Sequence, residues 1–139
     1  MGSINAPHLL NGGNTMTIMD AIYRLDELKP NRYSQSEKIK WLSSLDGLIK
    51  SEIIDTHEGG ENVVFSVYDE NSDLSTVLLV PAPYDDIYLR WLEAQIDYAN
   101  GEYGKYNNSI TAYNDAYAIY QKYYNRTHMP ISKGTRFKF

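Results

Sequence analysis

The chain has 139 residues, 42% hydrophobic and 22% charged, a length and composition that suit one small globular domain. It contains no cysteine, which excludes a disulfide framework and thiolate chemistry and points to an intracellular setting. No apolar run approaches the roughly 20 residues that span a bilayer, and no charged segment followed by an apolar one marks a signal peptide, so no membrane partner is expected.

Residues 1–15 carry no Asp, Glu, Lys or Arg and no usable period. They read as an expression leader or a disordered arm ahead of a domain over 16–125. Thr17 and Asp20 have capping-box spacing and predict a helix over 17–28, with Ile18, Ala21, Ile22, Leu25 and Leu28 on one face and Pro30 ending it. Ser34 and Glu37 repeat the signal for a second helix reaching about residue 54. Its apolar stripe is Ile39, Leu42, Leu45, Leu48, Ile49 and Ile53, with Trp41 beside it. Gly47 lies inside this helix at a cost of about 1 kcal/mol relative to Ala, which suggests a close helix contact.

Val63–Tyr68 and Thr76–Val80 are β-rich runs separated by polar Asp69–Ser75, the pattern of a hairpin inserted between the second and third helices. A lone hairpin is marginal in water, so it must lean on the helices or on a partner. Pro81 and Pro83 introduce a third helix over about 84–100, with Asp85 and Asp86 favourable for the dipole in its first turn. Gly101 and Gly104 mark a short turn to a fourth helix, N-capped by Asn107 or Asn108 and running to Asn125. The predicted fold class is thus mainly α: a small bundle of about four helices with an inserted β-hairpin and an extended C-terminal tail over 126–139, where Pro130 and Gly134 oppose helix.

Ten of the 13 tyrosines lie in residues 81–125. Tyr106, Ile110, Tyr113, Tyr117, Tyr120 and Tyr124 step by four and three, which places them on one helical stripe. Such a stripe buries ring surface while each hydroxyl still needs water or a partner. It serves either a wet subunit interface built from Tyr106, Tyr113, Tyr117, Tyr120, Tyr124 and Trp91, or packing inside its own domain.

The charges are divided. Nine acids and no Lys or Arg lie between Lys50 and Arg90, while the tail carries Arg126, Lys133, Arg136 and Lys138 with no acid. Ile131, Phe137 and Phe139 intersperse those cations, so the tail reads as a docking peptide with anchoring rings and pairing charges. With 18 acids against 9 cations in residues 16–125, tight binding to duplex DNA is not expected. No P-loop, nucleophile elbow, GxGxxG or HExxH occurs, and Asp55, His57, Glu58 and Glu61 match no zinc or EF-hand spacing. The reading is a protein that is not an enzyme and needs no metal or cofactor.

Pro83-Tyr84-Asp85-Asp86-Ile87-Tyr88, Trp91 through Tyr98, Tyr106-Asn107-Asn108 and Tyr123 through Pro130 together resemble head–tail connector (adaptor, head-completion) proteins of tailed bacteriophages and prophages. The resemblance covers about 81–130. It implies a structural virion protein, made in the bacterial cytoplasm, that self-associates as a ring on the portal, extends the DNA channel and forms the platform for a tail or stopper protein. Arg126, Ile131, Lys133, Arg136, Phe137, Lys138 and Phe139 would then dock on the portal. The alternative is a small monomeric binding or regulatory module that uses the tyrosine-rich helical face.

Overall fold

The computed structural model describes residues 15–132. In chain order they form strand β1 (Thr15–Thr17), helix α1 (Ile18–Leu28), helix α2 (Gln35–Glu52), strand β2 (Val77–Pro81), helix α3 (Asp86–Ala99) and helix α4 (Tyr103–Thr127). Two single 3₁₀ turns, Ile54–Thr56 and Gly60–Asn62, follow α2. The described residues are mainly helical, with four α-helices, as the periodicity predicts.

Each helix end has a local cause. Thr17 Oγ1 accepts from Asp20 N–H at 3.1 Å and the Asp20 carboxylate accepts from Thr17 N–H at 3.0 Å, a complete capping box. The next two orphan donors, Ile18 and Met19 N–H, reach the carbonyls of Thr76 and Leu74, both at 3.0 Å. Ile18, Ala21, Ile22 and Leu25 then face the core, whereas Leu28, the last helical residue, lies at the rim and is 59% exposed. Ser34 Oγ caps α2 by accepting from Glu37 N–H at 3.1 Å. Helix α3 ends in a Schellman turn. Gly101, at φ +75°, donates to Tyr98 O at 3.0 Å, and Glu102 N–H donates to Asp97 O at 2.9 Å. That tight ending brings α4 in at Tyr103 rather than at the expected Asn107 or Asn108 caps, and both asparagines lie exposed within the helix.

The strand over 77–81 is antiparallel, but its partner is β1 and not the 63–68 run. Thr17 pairs with Val77 and Thr15 with Pro81, with a bulge between them. The expected hairpin partner is neither strand nor helix. The reason is competition for donors: Asp46 takes Leu79 N–H at 3.0 Å, the Tyr88 hydroxyl takes Val80 N–H at 2.7 Å, and Ser43 Oγ takes Tyr68 N–H at 3.0 Å. With those groups held by helix side chains, a ladder between 64–68 and β2 cannot close. The buried Met16 of β1 completes the core instead.

Asp46 is fully buried on α2. Its carboxylate accepts from Tyr68 OH and Tyr88 OH, both at 2.6 Å, in addition to Leu79 N–H. Burial pushes the Asp46 carboxyl above the ordinary range, partly opposed by these three hydrogen bonds, and burial with the Asp46 charge pushes both tyrosines up as well. Because the folded state holds the Asp46 proton more tightly than the unfolded chain does, this group's contribution to stability is complete below the ordinary carboxylate value, about 3.9. It is lost as pH rises through the raised folded value. Asp46→Ala leaves three buried donors unmatched and is expected to cost about 3–5 kcal/mol in urea unfolding. Asp46→Asn is expected to cost less and to remove this part of the pH dependence. A D46N protein whose stability profile parallels the wild type's would contradict the assignment.

Two glycines make opposite demands. A Cβ on Gly47 meets only the Phe65 ring at 3.7 Å, an ordinary contact, so close helix packing is not what keeps it. A Cβ on Gly60 falls 2.5 Å from Ile54 O and 3.0 Å from Asp55 Cα, so backbone must move. Thermal melts are expected to show Gly47→Ala stabilised by up to about 1 kcal/mol and Gly60→Ala destabilised by about 1–3 kcal/mol.

Candidate interaction site

The tyrosine stripe is a real surface, and most of it is already occupied by the chain's own α3 and α2. Helices α3 and α4 form an antiparallel hairpin whose seam is aromatic. Trp91 lies 4.9 Å from Tyr113, Tyr84 stacks on Tyr123 at 4.5 Å, and Tyr84 lies 5.9 Å from Tyr120. Tyr113, Tyr120 and Tyr124 are buried, and Tyr106, Ile110, Tyr117 and Trp91 are half-buried. Trp91 Nε1–H donates to Trp41 O at 2.8 Å, and Tyr117 OH donates to Glu52 at 3.1 Å, so this hydroxyl and the indole find partners at the edge of the seam. Burial, then the bond to Glu52 and its charge, push Tyr117 up to about 12. Burial pushes Tyr113 and Tyr120 above the ordinary phenol value too. The rings at 113, 120 and 124 are therefore not available as a subunit face. The aromatic residues that remain open on this hairpin are Tyr98 and Tyr103, with rings 5.7 Å apart.

The expected tail divides at Ser132. Arg126 is still in α4 and exposed, and Ile131 is 40% exposed, while Lys133, Arg136, Phe137, Lys138 and Phe139 lie outside the described residues. Residues 128–131 are not a free end. His128 stacks on Tyr124 at 3.8 Å with parallel planes. Glu58 N–H donates to Met129 O at 2.7 Å and Ile131 N–H to Thr56 O at 3.0 Å, around an antiparallel bridge between His57 and Pro130. The buried His57 ring sits behind this bridge, Nδ1 2.6 Å from Ile53 O and Nε2 2.8 Å from Asn125 Oδ1. His57 is thus a structural latch between the turn after α2 and the end of α4.

Sequence reading missed one open surface. Val64 and Val67 are 83% and 73% exposed on the run after the second 3₁₀ turn, and Val77 is exposed opposite them. Between that run and β2 lies a groove of about 310 Å³ lined by Phe65, Val67, Val77 and Leu79, with Asp73 at its rim. A second hollow of about 370 Å³ opens on the other side of the same run, against Lys40, Ser44 and Gly47. The only signal for this surface was a β-rich stretch whose pairing the sequence could not assign. Among the described residues, no cluster of His, Asp and Glu is disposed to hold a metal, and no helix is long and apolar enough to cross a membrane.

Scans of protein-family models, curated proteins and solved structures found no match to this chain.

The latch leads to a sharp expectation for truncation. Ending the chain after Thr127 removes the His128 stack and both backbone bonds to residues 56–58, and should lower stability by about 1–3 kcal/mol. Ending it after Ser132 keeps them all, so this protein should melt above the one that ends at Thr127. Equal melting of the two truncated proteins would show that the latch contributes nothing.

Proposed function

We propose that this chain is a head–tail connector subunit, which joins a ring on a phage portal, lengthens the DNA channel and presents a platform to the next tail protein. The observation that carries the proposal is where the resemblance falls. Pro83 through Tyr88, Trp91 through Tyr98, Tyr106 through Asn108 and Tyr123 through Pro130 all belong to the α3–α4 hairpin, its entry and its exit. That hairpin is an extended two-helix unit held by its own aromatic seam, so it can present an outer face without depending on a partner for its core.

One surface feature supports the same reading. The acids at 52, 55, 58, 61, 69, 70, 73 and 86 are all exposed, and a channel wall of that charge repels phosphates and lets DNA slide. The alternative is a binding module built on the tyrosine face; Tyr113, Tyr120 and Tyr124, which either reading would use as an interface, are covered by the chain itself.

The test is co-assembly. Mixed with a phage portal ring, the protein should enter a high-mass complex with ring symmetry, visible by native mass spectrometry and electron microscopy. In the same buffer at physiological salt it should show no submicromolar affinity for duplex DNA. Failure to join the portal, or tight DNA binding independent of sequence, would overturn the proposal.

A further inference from the structure

We propose that Asn100, which precedes Gly101, is a latent deamidation site held closed by the turn between α3 and α4. It converts when that turn opens, and its conversion to isoaspartate unpins the turn. The inference does not rest on the connector reading.

An asparagine followed by glycine carries an electrophile and a nucleophile one peptide apart. The Gly101 backbone nitrogen, on giving up its proton, can attack Cγ of the Asn100 side chain. Glycine favours the attack because it has no Cβ to obstruct the approach and its backbone turns freely. The new N–Cγ bond forms, the Cγ–Nδ2 bond breaks, and the side-chain nitrogen takes up the proton and leaves as ammonia. Water then opens the five-membered imide at one of its two carbonyls. Opening at Cγ yields aspartate on an unchanged backbone. Opening at the main-chain carbonyl yields isoaspartate, whose chain runs through Cβ and Cγ. Water is the only co-reactant. Among the described residues, Asn100 is the only asparagine that precedes a glycine.

Three restraints close the site in the folded chain, and burial is not one of them. Asn100 is exposed and a Cβ on Gly101 would meet nothing within 4 Å, so water has access. The first restraint is the backbone. Asn100 caps α3 at φ −79° and ψ −8°, where its Cα–Cβ bond is turned well away from the Gly101 nitrogen and the ring cannot close. The second is the nucleophile itself, because Gly101, at φ +75°, donates its N–H to Tyr98 O at 3.0 Å. The third is the side chain. Asn100 Oδ1 accepts from Tyr33 OH at 2.5 Å, and Nδ2 lies 3.5 Å from Glu102 Oε1. Tyr33 belongs to the connection between α1 and α2, so this contact ties the hairpin tip to another part of the chain.

Conversion has a structural consequence. The Schellman turn needs Gly101 N–H on Tyr98 O and Glu102 N–H on Asp97 O together, the second at 2.9 Å. Isoaspartate lengthens the main chain by one carbon between these donors and α3, so the two bonds cannot both keep their geometry. That turn sets the start of α4 at Tyr103, and across it the rings of Tyr103 and Tyr106 lie 5.7 and 5.3 Å from Tyr98. Both products also add a carboxylate near exposed Glu102. Aspartate retains the ordinary backbone and an oxygen to accept from Tyr33. The two products therefore separate the effect of charge from the effect of chain length.

The experiment ages the full chain in mildly alkaline buffer, folded and in urea, and follows the tryptic peptide Trp91–Lys105 by mass spectrometry. Asn100 is the sole asparagine in that peptide, and fragmentation places the mass gain on it. Conversion in the folded chain should be about tenfold or more slower than in urea, since it waits on local opening of the turn. Tyr33→Phe keeps the ring that lies 5.6 Å from Trp41 and removes only the hydroxyl, so this chain, still folded, should convert about threefold or more faster than wild type. The isoaspartate form, separated by ion exchange, should melt below the Asn100→Asp variant. Equal rates in the folded chain and in urea would overturn the proposal. So would a folded Tyr33→Phe chain that converts no faster than wild type, or an isoaspartate form that melts with Asn100→Asp.

Discussion

A carboxylate with no access to water is the constraint on which the rest of this structure depends. Burying Asp46 is expensive, and the expense is offset only if every donor aimed at it stays in place. Those donors come from three separate stretches: Tyr68 from the 63–68 run, Leu79 from β2 and Tyr88 from α3. Asp46 itself belongs to α2. One side chain therefore fixes the relative position of four elements, and Tyr88 relays the network onward by accepting from Val80 N–H. Apolar burial around it, by Leu42, Leu45, Ile49, Leu78 and Ile87, supplies most of the driving force. That burial is non-directional, and the network decides which packing of the apolar faces is the native one.

The same network explains the odd strand pairing. Residues 63–68 and 77–81 flank a short connection of two successive turns, in which Asp69 and Asp73 each accept from the backbone two residues on. By proximity they ought to pair with each other. Side chains of α2 and α3 capture the donors first, and a strand from the far end of the sequence pairs with β2 instead. The consequence is a run that is neither strand nor helix, fixed at Tyr68 and packed through Phe65 onto Gly47.

How much of this was legible follows from how local each cause is. Both helix caps on α1 and α2 were visible because Thr17–Asp20 and Ser34–Glu37 act within one turn. The aromatic stripe of α4 was visible because its period is intrinsic to the helix. Its destination was not, since a stripe of tyrosines is equally suited to a neighbouring helix or a neighbouring subunit, and only the Trp91, Tyr84 and Tyr123 contacts decide between them. The start of α4 was misread because Asn107 and Asn108 have strong capping propensity, while the Schellman turn after α3 sets the start by geometry. Asp46 could have been noticed, standing four residues after Leu42 and three before Ile49 on the apolar stripe of α2. A carboxylate in that register signals a buried acceptor, although nothing local names its donors. The hairpin partner could not be read, because the competition for Leu79 and Val80 N–H is won by residues 33 and 8 positions away.

The end of α4 shows how the latch and the charge division work together. Helix α4 carries its aromatic seam to Tyr124, and the next ring in stacking contact is His128, already past the helix. His57 closes the corner from the other side through Asn125 and the bridge to Pro130, so residues 128–131 are held next to the acidic turns that follow α2. Lys50 is the cation within that acidic neighbourhood, and it is committed to Asp55 and to the Gly60 carbonyl. The remaining acids at 58, 61, 69, 70 and 73 face water without a described cation. The bond from Ile131 to Thr56 and the bridge from His57 to Pro130 thus hold the end of α4 beside acids that no described cation compensates.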